Sequence, residues 1–225
     1  MNCLLCGGSL KVTLSFSWVL SWQQVQDNYL CSSCRREFVR IAGATCSGCG
    51  RRWPGMCPDC RQWQAKQAAL LCNRALYVYN NAMRTYMQRY KFQGDYRLRR
   101  IFSDELQAAL AKWYPRWQGW VYVPLPVDEV TWQTRGFNQV AGFLTGLSVK
   151  EVLMTIHSHH QKQSTKTRGA RLQTPQPFQA KPTAARFSRV VLVDDVYTTG
   201  RTLYHAREAL ATVGVQHIRS VTLAR

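Results

Sequence analysis

The chain has 225 residues, 46% of them hydrophobic, with 30 Lys and Arg against 12 Asp and Glu. That length holds one ordinary α/β domain plus a small module, and the apolar content excludes a generally disordered chain. The net charge of +18 points to a polyanionic partner, a nucleic acid or a phosphorylated metabolite.

The first residues lack a basic stretch followed by an apolar run, so no targeting segment is expected. The apolar stretch 12–22 is short and broken by Ser and Thr, and no membrane span is predicted. The expectation is a cytoplasmic protein, and in that compartment nine cysteines argue for metal rather than disulfides.

Eight of those cysteines form four C-x-x-C pairs: Cys3/Cys6, Cys31/Cys34, Cys46/Cys49 and Cys57/Cys60. Each knuckle points two thiolates at one place, and two knuckles complete a tetrahedral Zn²⁺ site, so two structural zinc ions are predicted. Four thiolate ligands leave no open position for a substrate, which argues against catalytic zinc. Sequential pairing gives a double zinc ribbon, whereas a cross-braced arrangement would exchange partners. Sequential pairing is favoured because each half then encloses a short hairpin, with residues 10–29 supplying the strands of the first. Residues 1–62 therefore read as a zinc-ribbon module too small to hold a core without metal. Cys72 is left over and reads as a small buried hydrophobe.

Residues 70–225 read as an α/β domain. Strands are predicted at 70–79, 120–125, 189–193 and 217–224. Helices are predicted at 82–92, where Met83, Tyr86, Met87 and Tyr90 recur at spacings of three and four, and at 102–113, 138–147 and 202–213. The alternation of strand and helix, with the run Val190-Val191-Leu192-Val193, predicts a mostly parallel sheet. Ligands then sit at the carboxyl ends of its strands.

The sharpest motif begins at that run and continues Asp194-Asp195-Val196-Tyr197-Thr198-Thr199-Gly200-Arg201-Thr202. A buried strand delivers two carboxylates to its carboxyl end, and a Thr/Gly turn then opens a helix. The turn's N–H groups and the helix N-terminus form an anion nest. Thr198, Thr199 and Thr202 add hydroxyls, and Gly200 permits close approach of a phosphate. Asp194 and Asp195 can accept hydrogen bonds from vicinal ribose hydroxyls, or hold Mg²⁺ through water.

This block resembles the ribose-phosphate signature of type I phosphoribosyltransferases. With the four C-x-x-C pairs, Tyr90-Lys91-Phe92-Gln93-Gly94-Asp95, Val123-Pro124-Leu125-Pro126 and Arg135-Gly136-Phe137-Asn138-Gln139, the whole chain resembles the ComF family of competence proteins. The resemblance implies a type I phosphoribosyltransferase-like sheet joined to the cysteine module. It implies that Asp194 and Asp195 bind ribose hydroxyls, as the catalytic pair if the site turns over. Thr198, Thr199, Gly200, Arg201 and Thr202 would bind the 5-phosphate. Pro124, Leu125, Pro126 and Arg135 would meet the pyrophosphate of phosphoribosyl pyrophosphate with Mg²⁺.

The segment 156–182 corresponds to the loop that closes over such sites. Its Lys162, Lys166, Arg168 and Arg171 serve equally as a lid or as a track for single-stranded DNA. The family association implies DNA uptake in natural transformation beside a DNA helicase of the same operon. Asp128 and Glu129 depart from the family pattern by placing two acids beside the proposed pyrophosphate turn. Three functions stay open: a DNA-uptake accessory protein with a phosphoribosyl site, an active phosphoribosyltransferase of unknown acceptor, and a non-catalytic zinc-ribbon nucleic-acid binder.

Overall fold

Strand β5 (Arg189–Val196) lies inside the sheet, and the computed structural model shows why its sequence is apolar without alternation. Val190, Val191, Leu192 and Val193 are all fully buried, because layers pack against both faces of the strand. Each such side chain contributes roughly 1.5–3 kcal/mol relative to exposure. The structure describes residues 2–10, 29–66, 69–156 and 176–225.

The strands β1 (Asn73–Tyr77), β2 (Trp120–Pro124), β5 and β6 (His217–Ala224) form a sheet in the order β1-β6-β5-β2. All three pairings are parallel. Strands β3 (Leu153–Thr155) and β4 (Phe178–Ala180) pair antiparallel. They form the stem of the segment read as a closing loop. Residues 157–175 of that segment, with Lys162, Lys166, Arg168 and Arg171, lie outside the described residues, as do 11–28 of the first cysteine half.

Seven helices are introduced among the described residues: α1 (Ser32–Arg36), α2 (Pro58–Lys66), α3 (Asn81–Phe92), α4 (Ser103–Trp113), α5 (Glu129–Arg135), α6 (Gln139–Phe143) and α7 (Arg201–Ala211). Helices α3, α4 and α6 cover one face of the sheet, with Tyr86, Tyr90, Leu106, Leu110 and Phe143 packed among Val191, Val193, Val221 and Leu223. Helix α7 covers the other, with Leu203, Tyr204, Ala206 and Leu210 packed among Val190, Leu192 and Ile218.

Three local expectations are revised. The helix expected over 138–147 is shorter, ending at Phe143. Helix α5 was not expected, yet its signals are present in the sequence. Asp128 caps its N-terminus by accepting from the Thr131 N–H (2.6 Å), and Gly136 closes it at φ +75°. Cys72 is only part-buried and takes φ +55°, so it is a backbone-turn residue rather than a core hydrophobe.

The cysteine half does not sit apart from this domain. The Asn73 N–H donates to the Gly48 carbonyl (2.8 Å), and its side-chain Nδ2 donates to Cys49 O (3.0 Å) and Thr222 Oγ1 (3.1 Å). Ser220 Oγ completes the buried cluster by donating to Asn73 Oδ1 (2.8 Å). Every polar atom of the Asn73 amide is thereby satisfied, which is the condition for burying it at 3% exposure.

Candidate metal centres and phosphoribosyl site

The eight paired cysteines gather into two groups, Cys3/Cys6/Cys31/Cys34 and Cys46/Cys49/Cys57/Cys60, with all sulfurs of a group within 4.8 Å of one another. The grouping is the sequential one. In each group the first knuckle is a turn closed by a bridge, Asn2 to Ser9 and Thr45 to Arg52. The second knuckle opens a helix, α1 or α2, so among the described residues each group joins a bridged turn to a helix start; residues 11–28, expected to supply strands of the first ribbon, lie outside the described residues. The sulfurs of Cys6 and Cys31, and those of Cys49 and Cys57, stand 3.7 Å apart, the edge of a tetrahedron around a zinc ion with bonds of about 2.3 Å.

The backbone favours thiolate at one cysteine in each group. Burial pushes the Cys3 thiol up, but N–H groups of Cys31, Cys6 and Leu5 outweigh it and bring it down to about 6. Cys46 reaches about 6 in the same way, through Cys57, Cys49 and Gly48. Burial and crowding by neighbouring sulfurs push Cys34 and Cys60 up. A set of thiols that cannot all ionise alone is one that a divalent cation would complete. The residues therefore fit zinc in both groups.

At the carboxyl end of β5 stand Asp194 and Asp195. Asp195 is 4% exposed, and its Oδ2 lies 2.6 Å from Lys91 Nζ at the end of α3. That oxygen has no partner in hydrogen-bonding alignment, so the contact acts as a charge pair. Asp194 is part-exposed and accepts the Asp195 N–H at Oδ1 (2.8 Å). Burial, then the Asp195 charge, pushes the Asp194 carboxyl up to about 8, against the pull of Lys91. The pair is thus asymmetric. Asp195 is nearly fully buried and paired with a cation of the protein, whereas Asp194 is part-exposed.

Beyond the pair the chain turns through Thr198, Thr199 and Gly200 into α7. Thr198, Thr199 and Thr202 are exposed. Gly200 holds φ +81°, and a Cβ there would strike the ring of Tyr197. As N-cap it supplies no side chain to the first turn of α7; the Arg201 N–H instead meets Thr199 Oγ1 (3.4 Å), and a helix start of this kind is where an anion is received.

The proposed pyrophosphate turn follows β2. The Leu125 N–H donates to Val193 O (3.0 Å), immediately before Asp194, and Asn138 Nδ2 donates to Leu125 O (2.9 Å). Asn138 also caps α6 by accepting from the N–H groups of Val140 and Ala141. Arg135 donates to Gln139 Oε1 (2.9 Å) and lies over the Phe92 ring at 5.2 Å. The sequence 135–139 therefore ties the end of α5, the start of α6 and the turn at Pro124, Leu125 and Pro126 into one unit.

Asp128, one of the two acids that depart from the family pattern, caps α5 with its carboxylate, and Glu129 accepts from Gln133 (3.0 Å). Lys91, the cation paired with Asp195, is the residue at this site that the sequence did not reveal. It stands in a quoted motif, Tyr90 to Asp95, but nothing local connects it to a carboxylate so far downstream.

Comparison with known proteins follows the same lines. The phosphoribosyl transferase domain family matches residues 130–225. The chain is 34% identical over 226 residues to "Competence protein ComFC" of Streptococcus pneumoniae, covering 100% of both chains. It is 32% identical over 233 residues to "Competence protein ComFC" of Bacillus subtilis, covering 99% of this chain and 94% of the relative. "Competence protein F" of Haemophilus influenzae is 24% identical over 239 residues. Full-length similarity at this level, with a parallel sheet and two four-cysteine groups, places the chain in the ComF family.

Proposed function

We propose that the protein binds phosphoribosyl pyrophosphate with Mg²⁺ at the carboxyl end of β5 and acts in the cytoplasm in DNA uptake for natural transformation. The observation that carries the first half is the pair Asp194–Asp195, with Lys91 on one member, set directly before a Thr/Gly turn that opens a helix without a capping side chain. Asp194 and Asp195 accept the ribose hydroxyls. The N–H groups after Thr198, with the hydroxyls of Thr198, Thr199 and Thr202, hold the 5-phosphate. Arg135 and the turn at Pro124–Pro126 face the pyrophosphate. Both cysteine groups hold structural zinc.

The second half rests on the relatives' names and on the surface. Lys, Arg and aromatic side chains are the parts of a single-strand site. Phe92 is 74% and Trp132 51% exposed, and Tyr96, Trp132, Phe137 and Lys181 line a cleft of about 390 Å³ beside Pro124 and Pro126. Lys162, Lys166, Arg168 and Arg171 extend this charge in sequence. Single-stranded DNA is the proposed polyanion, and the competence helicase of the same operon the proposed protein partner.

A second reading is favoured by the β3–β4 stem, which springs from the edge of the site as a lid would. In that reading the site turns over. A bond forms between the anomeric carbon and an acceptor, the bond to pyrophosphate breaks, and pyrophosphate leaves with the electron pair.

Calorimetric titration with phosphoribosyl pyrophosphate and Mg²⁺ tests the site. Wild type binds saturably, and Asp194→Asn/Asp195→Asn abolishes the heat. Equal binding by both would place the ligand elsewhere. Fluorescence anisotropy with a labelled oligonucleotide tests the DNA half. Affinity falls steeply with salt, with a log–log slope of about −0.7 per phosphate neutralised, and a flat salt response would contradict it.

A further inference from the structure

We propose that the second four-cysteine group is the scaffold of the phosphate-binding turn, so that its metal occupancy and phosphate binding are thermodynamically linked. The inference rests on the phosphoribosyl reading of the site and adds a positioning role for Trp63 and Arg225.

The turn presents three successive carbonyls, those of Tyr197, Thr198 and Thr199, and all three are occupied from the side of the cysteine group. Trp63, on the helix that begins inside the Cys57/Cys60 knuckle, donates its indole N–H to Thr199 O (2.8 Å). Arg225 Nη1 donates to Thr198 O (2.8 Å) and Tyr197 O (3.2 Å). The Arg225 guanidinium is anchored at Nη2 by Asp59 (3.4 Å), which lies between Cys57 and Cys60, and it stacks over the Tyr197 ring at 4.8 Å.

A trans peptide is planar, with its C=O and the following N–H pointing opposite ways. Drawing the carbonyls of 197, 198 and 199 toward the cysteine group therefore turns the N–H groups of 198, 199 and 200 away from it. The clamp is a device for aiming an anion nest.

The same helix fixes the element that follows. The Trp63 ring stacks on Tyr204 in the first turn of α7 (centroids 4.2 Å apart, 18° between planes), and Leu71 N donates to Tyr204 Oη (3.4 Å). α2 thus holds both the turn and the helix start that together make up the phosphate site. Its own position depends on Cys57 and Cys60, which are 0% exposed. The first group makes different contacts. Arg89 of α3 donates to Leu5 O (2.7 Å) and Leu4 O (3.1 Å), on the opposite face of the sheet.

Linkage is reciprocal: if the metal orders the turn and the turn binds phosphate, phosphate must tighten the metal. Trp63→Phe removes the indole N–H and keeps an aromatic ring on Tyr204. In the zinc-loaded variant the amides of Thr199 and Gly200 exchange hydrogen faster than in wild type. Affinity for phosphoribosyl pyrophosphate with Mg²⁺ falls about five- to tenfold, the effect of one lost hydrogen bond, at unchanged zinc content. Arg89→Gln, cutting contacts of the first group, leaves both readouts at wild-type values.

With ¹¹³Cd in both groups, two resonances follow occupancy separately. Chelation that bleaches the resonance of the second group raises exchange at residues 198–200 in step. Wild-type exchange and affinity in Trp63→Phe would overturn the proposal, as would an equal response to Arg89→Gln. If wild type fails to bind the ligand, the phosphoribosyl reading falls, and the exchange and cadmium measurements still decide whether the cysteine group orders the turn.

Discussion

The two cysteine groups share a spacing and a chemistry, yet they serve different parts of the molecule. The first packs beside α3 and α4, where Phe38 meets Tyr77, Tyr86 and Phe102 edge-on, and Cys6 is exposed. The second has all four cysteines buried and is joined through Asn73, Trp63 and Asp59 to the sheet, the phosphate turn and Arg225. A cysteine knuckle on a small module is therefore no guide to its role. What it grips decides that, and only the second group grips the candidate site among the described residues.

The largest expected effect sharpens this contrast. Cys60→Ser empties the second group, and with apparent zinc-binding energies of about 10–16 kcal/mol in small structural sites the protein loses its cooperative melting transition. Cys6→Ser, at an exposed ligand, lowers the melting temperature but leaves a folded α/β domain. Zinc content by elemental analysis and thermal melting by circular dichroism check both. Equal losses would erase the distinction between the groups.

Next in size is the buried ion pair. Lys91→Met leaves the Asp195 carboxylate without its cation at 4% exposure, at a cost of about 3–5 kcal/mol, and Lys91→Met/Asp195→Leu recovers much of it. Chemical denaturation of the single and double variants gives the numbers. A neutral Lys91→Met would mean that the pair contributes nothing to folding.

The smallest effect is a pH dependence. The folded pKa of Asp194 is raised from 3.8 to about 8, by burial first and Asp195 second. A raised carboxyl destabilises the fold when it ionises. The penalty is absent below the unfolded pKa, grows as pH rises between 4 and 8, and is complete above the folded value. Asp194→Asn in the ligand-free protein should match wild type at pH 3.5 and melt a few degrees higher at pH 9, since about 1 kcal/mol moves a chain of this size by roughly 2–4 °C. Parallel pH profiles for the two proteins would remove Asp194 from the account.

The parts legible in the sequence were those written in one local stretch. Val190 to Thr202 carries strand, carboxylates, turn and helix start in order, and each knuckle names its own ligands. Helix α5 was written in Asp128 and Gly136 as cap residues, but the acids were read for their charge alone. What could not be read was contact between distant segments. No periodicity joins Lys91 to Asp195, or Trp63 to the Thr199 carbonyl, because those meetings follow from which face of the sheet each element covers. The bond from Arg135 to Gln139 likewise appears only once α5 and α6 are placed.

The most direct test of the central claim follows the backbone amides of residues 198–203 by heteronuclear NMR while phosphoribosyl pyrophosphate and Mg²⁺ are added to the zinc-loaded protein. The account predicts that the amides of Thr199, Gly200, Arg201 and Thr202 shift together and saturate, with the largest displacements in the spectrum, and that Asp194→Asn/Asp195→Asn abolishes the response. Saturable binding that leaves these amides in place would contradict it.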